Sequence, residues 1–135
     1  MDMRQFEQDH TLILEHIDEL QQAIQQDRSC VEAICAKLRF LGSKVRLHLA
    51  VEDRFLYPSL IEARPVNVSR LAQQFQQEMG GLKSELEAFL SRYSTANDIR
   101  RDPSEFSRQC RQILSALHQR ILREDDELYP LAGEL

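Results

Sequence analysis

The sequence predicts an all-α fold, an antiparallel up-down-up-down four-helix bundle built from two repeated helical hairpins. Three observations lead to this prediction. Good helix formers dominate a chain of 135 residues that contains only four glycines and four prolines. Apolar residues recur at spacings of three and four along most of the chain. The motif Glu-Asp-x-x-Leu-Tyr-Pro occurs at 52–58 and again at 124–130, which indicates an internal repeat.

Apolar periodicity and helix-breaking residues define four long helices. Phe6, Ile13 and Leu20 lie on one face of the first helix, which Asp27-Arg28-Ser29 should interrupt, with Ser29 as the N-cap of the second. Pro58 is expected to kink or end the second helix locally. Pro103 suits the first position of the last helix, with Asp102 as its cap. The predicted helices cover about 3–26, 30–61, 67–93 and 103–128, with a turn at 65–67 and a polar loop at 94–102.

The repeat extends into the predicted core. We expect a single domain over 1–135, with repeat 1 at about 3–61 and repeat 2 at about 67–130, related by a pseudo-twofold axis. The core positions of the two first helices align in order: Phe6, His10, Ile13, Ile17 and Leu20 with Phe75, Met79, Leu82, Leu86 and Phe89.

Five polar residues interrupt otherwise apolar helix faces: His10, His48, Glu52, Arg120 and Glu124. Burying such groups without partners is costly, so they must satisfy one another or hold a metal. His48 and Glu52 are four residues apart on one helix, as are Arg120 and Glu124, so each pair shares a face. The residues alone leave two alternatives: a hydrogen-bonded polar layer that fixes helix register, and a metal site in the bundle core.

The chain resembles hemerythrin-like, HHE cation-binding domains. The resemblance rests on Asp9-His10, on His48-x-x-x-Glu52 and on the two Glu-Asp-x-x-Leu-Tyr-Pro motifs, and it covers nearly the whole chain. In that family a four-helix bundle holds two irons with histidines from all four helices and two bridging carboxylates. The resemblance therefore implies His10 and His48 as histidine ligands, and Glu52 and Glu124 as bridging carboxylates.

Two residues depart from the family pattern. Met79 stands where the third helix should offer a histidine, and Arg120 where the fourth should. Methionine is a soft ligand that suits a hard di-iron site poorly, and arginine has no free lone pair and stays protonated. One guanidinium can bridge two carboxylates. We therefore expect Arg120 to replace the metal between Glu52 and Glu124.

These departures favour a regulatory or interaction module that has lost the di-iron centre and carries no cofactor. The alternative is an iron-binding sensor or carrier that holds one or two ions through the metal ligand set His10, His48, Glu52 and Glu124. By resemblance to the family, it would respond to dioxygen, nitric oxide or oxidative stress. No nucleophile stands at a fixed spacing from a base and no phosphate-binding loop is present, so no catalytic residue is predicted and no enzyme is expected.

Composition limits the kinds of binding partner and the cellular compartment that we expect. A net charge of −5 argues against nucleic acid, and no apolar run approaches the roughly 20 residues of a membrane helix. The N-terminus lacks the apolar core of a signal peptide. The three cysteines fit no metal-knuckle spacing, and we expect reduced, buried thiols in a cytoplasmic protein. A protein partner or a homodimer remains the expected kind of interaction.

Three further features have two interpretations each. His16 and His118 are additional candidate ligands, but both lie off the apolar stripes and are expected at the surface. Gly80-Gly81 follows Met79 directly. This pair is interpreted as a weak spot or a close helix contact, and alternatively as a kink that leaves space for a small ligand or water.

Overall fold

The computed structural model describes residues 1–26 and 30–135. Within these ranges the regular structure is helical and contains no strand, so the predicted all-α class is confirmed. The predicted break and N-cap at Asp27-Arg28-Ser29 lie outside the described residues. In the chain order of the structure the elements are α1 Arg4–Gln25, α2 Val31–Val51, π1 Glu52–Leu56, α3 Tyr57–Ile61, α4 Val66–Arg92, α5 Ala96–Arg101, α6 Pro103–Arg123, π2 Glu124–Leu128 and α7 Tyr129–Gly133.

The region predicted as a polar loop contains a short helix, α5. Thr95 and Asp98 form a reciprocal capping box, in which each side chain accepts a hydrogen bond from the backbone N–H of the other residue. The prediction of a loop was wrong because the capping box at Thr95 and Asp98 starts a helix within this polar segment. Asp102 caps α6 as predicted, by accepting a hydrogen bond from the backbone N–H of Glu105 at 3.1 Å.

Both Tyr-Pro motifs are preceded by a π-helical turn. Proline has no N–H, and its ring clashes with the carbonyl four residues earlier, so a regular α-helix cannot pass through it unchanged. Helical structure nevertheless continues beyond Pro58 to Ile61 and beyond Pro130 to Gly133. The last helical segment therefore extends past the predicted end at about 128. The two π turns begin at Glu52 and Glu124, the carboxylates singled out in the sequence.

The polar layer lies between two clusters of buried apolar residues. α1 packs against α2 and α6, and α4 packs against α2, α3 and α6. One cluster includes Ile13 and Val45, and the other includes Phe6 and Phe75. His10 falls between Phe6 and Ile13 on α1, so its imidazole lies at the junction of the two clusters.

The cysteines and the glycine pair differ from expectation. Cys35 and Cys110 are free and buried, as predicted, and burial raises the pKa of Cys110 to about 12. Cys30 is exposed, so the expectation of a buried thiol was wrong there, because it precedes the first residue of α2. Gly80 and Gly81 lie inside α4, and a Cβ at either position would meet no atom within 4 Å. Close helix contact therefore does not explain them.

None of the helices in the described ranges combines the length and the apolar character needed to cross a membrane.

Candidate metal centre

Four buried side chains from separate helical segments converge at the junction of the two core clusters. His10 comes from α1, His48 from the last turn of α2, Glu52 from π1 and Glu124 from π2. Each offers one nitrogen or oxygen atom, and these atoms all lie within 4.8 Å of one another. The structure therefore brings together the full ligand set named from the sequence.

The two carboxylates have different surroundings. Glu124 Oε1 lies 3.2 Å from His10 Nε2, and its Oε2 accepts a hydrogen bond from the Tyr57 hydroxyl at 3.2 Å. Glu52 Oε2 lies 3.5 Å from His48 Nε2 and accepts a hydrogen bond from Tyr129 at 2.7 Å. Glu52 Oε1 is buried without a hydrogen-bond partner among the described residues. A buried carboxylate oxygen without a hydrogen-bond partner is costly, and contact with a cation or a water molecule would offset that cost.

Both imidazoles are oriented by an outer carboxylate. His10 Nδ1 lies 2.7 Å from Asp125 Oδ1, and His48 Nδ1 lies 3.2 Å from Asp9 Oδ2. An Nδ1–H that donates to a carboxylate leaves Nε2 as the atom facing the site, which is a common arrangement for histidines that bind metals. Both Nε2 atoms point toward the glutamates.

The charges of the layer are coupled. Burial acts to lower the pKa of His48, but its contacts with Glu52 and Asp9 outweigh burial and raise the pKa to about 9. Burial likewise opposes protonation of His10, and the neighbouring carboxylates raise its pKa. Burial raises the pKa of Glu124. For Glu52 burial acts in the same direction, but the contact with His48 prevails and lowers its pKa.

The guanidinium of Arg120 does not lie between the two glutamates. Nη2 donates hydrogen bonds to the Tyr57 hydroxyl at 2.9 Å and to the Phe75 carbonyl at 2.6 Å, and the group stacks 4.5 Å from the centroid of the Phe75 ring. Its Nε is 3.7 Å from Glu124 Oε2, and Nη1 is 3.5 Å from Glu78. No ion pair joins it to Glu52, so the expected bridge between Glu52 and Glu124 is corrected: Arg120 pairs with Glu124 and with Glu78. The Phe75 carbonyl and the Tyr57 hydroxyl hold the guanidinium through Nη2, away from Glu52.

Met79 is buried beside the cluster and leaves a gap. A cavity of about 20 Å³, which is large enough for one water molecule, is lined by Met79, His48, Arg120 and Glu124 together with apolar side chains. Met79 and Asp53 also line one surface pocket. Asp53 holds the motif position that corresponds to Asp125. By this correspondence, Asp53 is the counterpart, for position 79, of the carboxylate that contacts His10.

Sequence reasoning missed the two tyrosines of the repeated motif as parts of the site. Tyr129 Oη lies 2.9 Å from His10 Nε2 and 3.3 Å from His48 Nε2, besides its bond to Glu52. Tyr57 lies between Arg120 and Glu124. Burial raises the pKa of both phenols above the ordinary value. Their occurrence in both copies of the motif was the signal that could have found them.

The other two histidines lie outside the centre. His16 is 3.7 Å from Glu19 and packs edge-on against Phe40, with a quarter of its side chain exposed. His118 is partly exposed on α6. Neither belongs to the buried ligand cluster.

A comparison with protein families identifies the family of this chain. The sequence model described as the hemerythrin HHE cation binding domain matches residues 1–132. The chain belongs to this family. Comparisons with curated proteins and with solved structures gave no match. The resemblance noted from His10, His48 and the paired motifs is thereby confirmed for almost the whole chain of this hemerythrin-like domain.

The residues present fit a metal ion. Imidazole nitrogen together with carboxylate oxygen suits iron and other first-row transition metals. Two Nε2 atoms face inward because Asp9 and Asp125 hold the opposite nitrogens. The unpartnered oxygen of Glu52 is an available donor in a buried place. The hemerythrin-like domain thus retains a set of groups that could bind a cation.

Proposed function

We propose that this hemerythrin-like domain binds a single metal ion, iron in the first instance, through His10, His48, Glu52 and Glu124. The observation that carries the proposal is the convergence of these four buried side chains, whose donor atoms lie within 4.8 Å of one another. The oxygen of Glu52 that lacks a protein partner supports it, because a cation would supply the missing interaction.

One ion fits the donor set better than two. A di-iron centre in this family takes histidines from all four helices, and here α4 offers Met79 and α6 offers Arg120. Arg120 is a permanent positive charge 3.7 Å from Glu124. A second cation on that side would face electrostatic repulsion from the guanidinium and would have no imidazole to bind.

The chain's own residues would prepare the site for an ion. Asp9 and Asp125 hold the two imidazoles by their Nδ1 atoms. Glu52 and Glu124 favour a proton on each Nε2 atom, and the ion would replace these protons when it binds. When bound, iron supplies redox and small-ligand chemistry in a water-poor pocket. We assign the protein a sensor or carrier role responding to dioxygen, nitric oxide or oxidative stress, and no catalytic role of its own.

A metal-free regulatory or interaction module is the second candidate. A specific observation favours it: Arg120 already places a buried positive charge beside Glu124 and stacks on Phe75. In this case the ring nitrogens and the hydroxyl of Tyr129 would satisfy one another without an ion. Such a module would act through a protein partner or as a homodimer, and in either role we place the protein in the cytoplasm.

We also propose the two-hairpin, four-helix arrangement in which alternate long helices run in opposite directions. It is supported by the neighbours of the long helices, since α1 packs on α2 and α6 while α4 packs on α2 and α6. It is supported further by the π turns, which begin at the same position of the two repeated motifs. A single domain over 1–135 follows from the same arrangement.

Metal content tests the proposal. The protein is loaded anaerobically with ferrous iron and desalted, and the iron per chain is measured by mass spectrometry. We expect about one ion per chain, because the donors describe one site. The variant Glu52→Gln should lose it. The matched control is Glu87→Gln, which changes an exposed carboxylate paired with Arg46, 2.7 Å away, and should keep the ion.

The outcomes separate the candidates. Two ions per chain would overturn the single-ion assignment. No ion in the folded parent protein would favour the metal-free module. Equal loss of iron in Glu52→Gln and Glu87→Gln would mean that the bound iron was not held by the buried cluster.

A further inference from the structure

The hydroxyl of Tyr129 lies beside three of the four proposed ligands. It lies 2.7 Å from Glu52 Oε2, 2.9 Å from His10 Nε2 and 3.3 Å from His48 Nε2. Its ring stacks on the His10 imidazole, with centroids 4.6 Å apart and planes inclined by 12°. Phe6 packs edge-on against the same ring at 6.0 Å. These polar contacts and the two rings packed against Tyr129 fix the position of the phenol oxygen.

These distances are those expected between neighbouring ligands of one ion. Bonds of about 2.1 Å meeting at right angles place adjacent donor atoms about 3.0 Å apart. The Tyr129 oxygen is separated from three donors by 2.7 to 3.3 Å. The contact between His10 and Glu124, 3.2 Å, falls in the same range. The Tyr129 oxygen therefore lies at a distance expected of a fifth ligand. An oxygen at the ion's own position would lie about 2.1 Å from the donors, which is closer than the 2.7 to 3.3 Å observed.

We infer that Tyr129 is a fifth ligand of the ion and binds ferric iron through its phenolate oxygen. The inference rests on the proposed function, since it concerns the same buried site. Anionic oxygen is a hard donor that favours the ferric ion over softer cations. On binding, an iron–oxygen bond forms, the O–H bond breaks and one proton passes to solvent for each phenolate formed.

Tyr57, the counterpart of Tyr129 in the first motif, is not equivalent to it. Its hydroxyl donates to Glu124 Oε2 at 3.2 Å and accepts a hydrogen bond from Arg120 Nη2 at 2.9 Å. Within the described part of the chain it has no hydrogen bond to either imidazole. Because its hydroxyl is already held by Arg120 and Glu124, and a cation there would be repelled by the guanidinium, Tyr57 is not expected to bind the ion.

The variants Tyr129→Phe and Tyr57→Phe test the inference as a matched pair. Each removes one buried hydroxyl from the same position of a repeated motif and leaves the aromatic ring in place. Parent and variants are loaded anaerobically with ferrous iron, oxidised with ferricyanide and desalted. Iron content, circular dichroism and the visible spectrum are then measured, with resonance Raman excitation in any visible band to detect tyrosinate vibrations.

The parent protein should show a phenolate-to-iron charge-transfer band with tyrosinate vibrations. Tyr57→Phe should retain both, and Tyr129→Phe should lose both. Iron in the parent without this band would overturn the inference and leave the proposed function standing. Loss of the band in Tyr57→Phe, with the band retained in Tyr129→Phe, would also overturn it. Failure of the folded parent to retain iron would refute the proposed function itself, and the inference with it.

Discussion

Replacing Arg120 by methionine should destabilise the metal-free protein strongly. Arg120 is buried, with 7% of its side chain exposed, and its Nη2 atom donates hydrogen bonds to the Tyr57 hydroxyl and the Phe75 carbonyl. Methionine fills a similar length without a donor or a charge. The carbonyl of Phe75 then loses this bond inside the protein, and Glu124 loses its nearby positive charge.

The magnitude follows from these lost interactions. Hydrogen bonds to a charged group contribute about 1.5–3 kcal/mol each, and removing one partner of a buried ion pair costs about 3–5 kcal/mol. The apolar packing of methionine offsets part of this loss, so we expect the free energy of unfolding to fall by about 3 kcal/mol. For a chain of this size the melting temperature should fall by roughly 10 °C. The affinity of the site for a cation should rise, because a repelling charge has been removed.

Urea unfolding of metal-free protein, followed by circular dichroism, measures the effect. The matched control is Arg46→Met, since Arg46 donates hydrogen bonds to Glu87 at 2.7 and 2.8 Å but is about half exposed. Exposed pairs of this kind contribute about 1 kcal/mol or less. If Arg120→Met were no less stable than Arg46→Met, the guanidinium would not stabilise the buried layer as described.

Three further predictions concern the ion count, pH and the glycine pair. The double variant Met79→His/Arg120→His should bind two ions instead of one by mass spectrometry, because both missing imidazoles are restored. The raised pKa of His48 stabilises metal-free protein fully below its ordinary value of 6.5, and this contribution is lost as pH rises to about 9. The melting temperature should therefore fall across that range, and less so in His48→Gln. Gly80→Ala and Gly81→Ala should each raise the free energy of unfolding by about 1 kcal/mol, because both sites have open space for a Cβ.

The ligand cluster could be predicted from the sequence because its members interrupt apolar stripes. A buried polar residue on a helix face must point to the same interior as its apolar neighbours. His10 and His48 were therefore both expected in the interior, and their ring centroids lie 4.8 Å apart. The same periodicity, with the helix-breaking residues, predicted the ends of most long helices to within a few residues of their bounds in the structure.

The partners of Arg120 could not be predicted in this way. Helical periodicity places the residue on an inward face, but the length of the side chain allows the guanidinium to reach any acceptor several ångströms away. The Phe75 carbonyl carries no sequence signal, since every residue has one. The hydroxyl of Tyr57 could be inferred only once the π turn had set its direction. Predicting the carboxylate bridge therefore overestimated the attraction of Glu52 relative to neutral acceptors.

The two halves of the site arrange their charges alike but control them differently. In one half Asp9 faces His48, and in the corresponding place of the other half Glu78 faces Arg120. An imidazole can exchange its proton for a metal ion, whereas a guanidinium keeps its charge at any working pH. Positive charge is therefore exchangeable on the His48 side and permanent on the Arg120 side. An arrangement of this kind would limit the proposed centre to one ion, through the repulsion from Arg120 as well as through the imidazoles missing at positions 79 and 120.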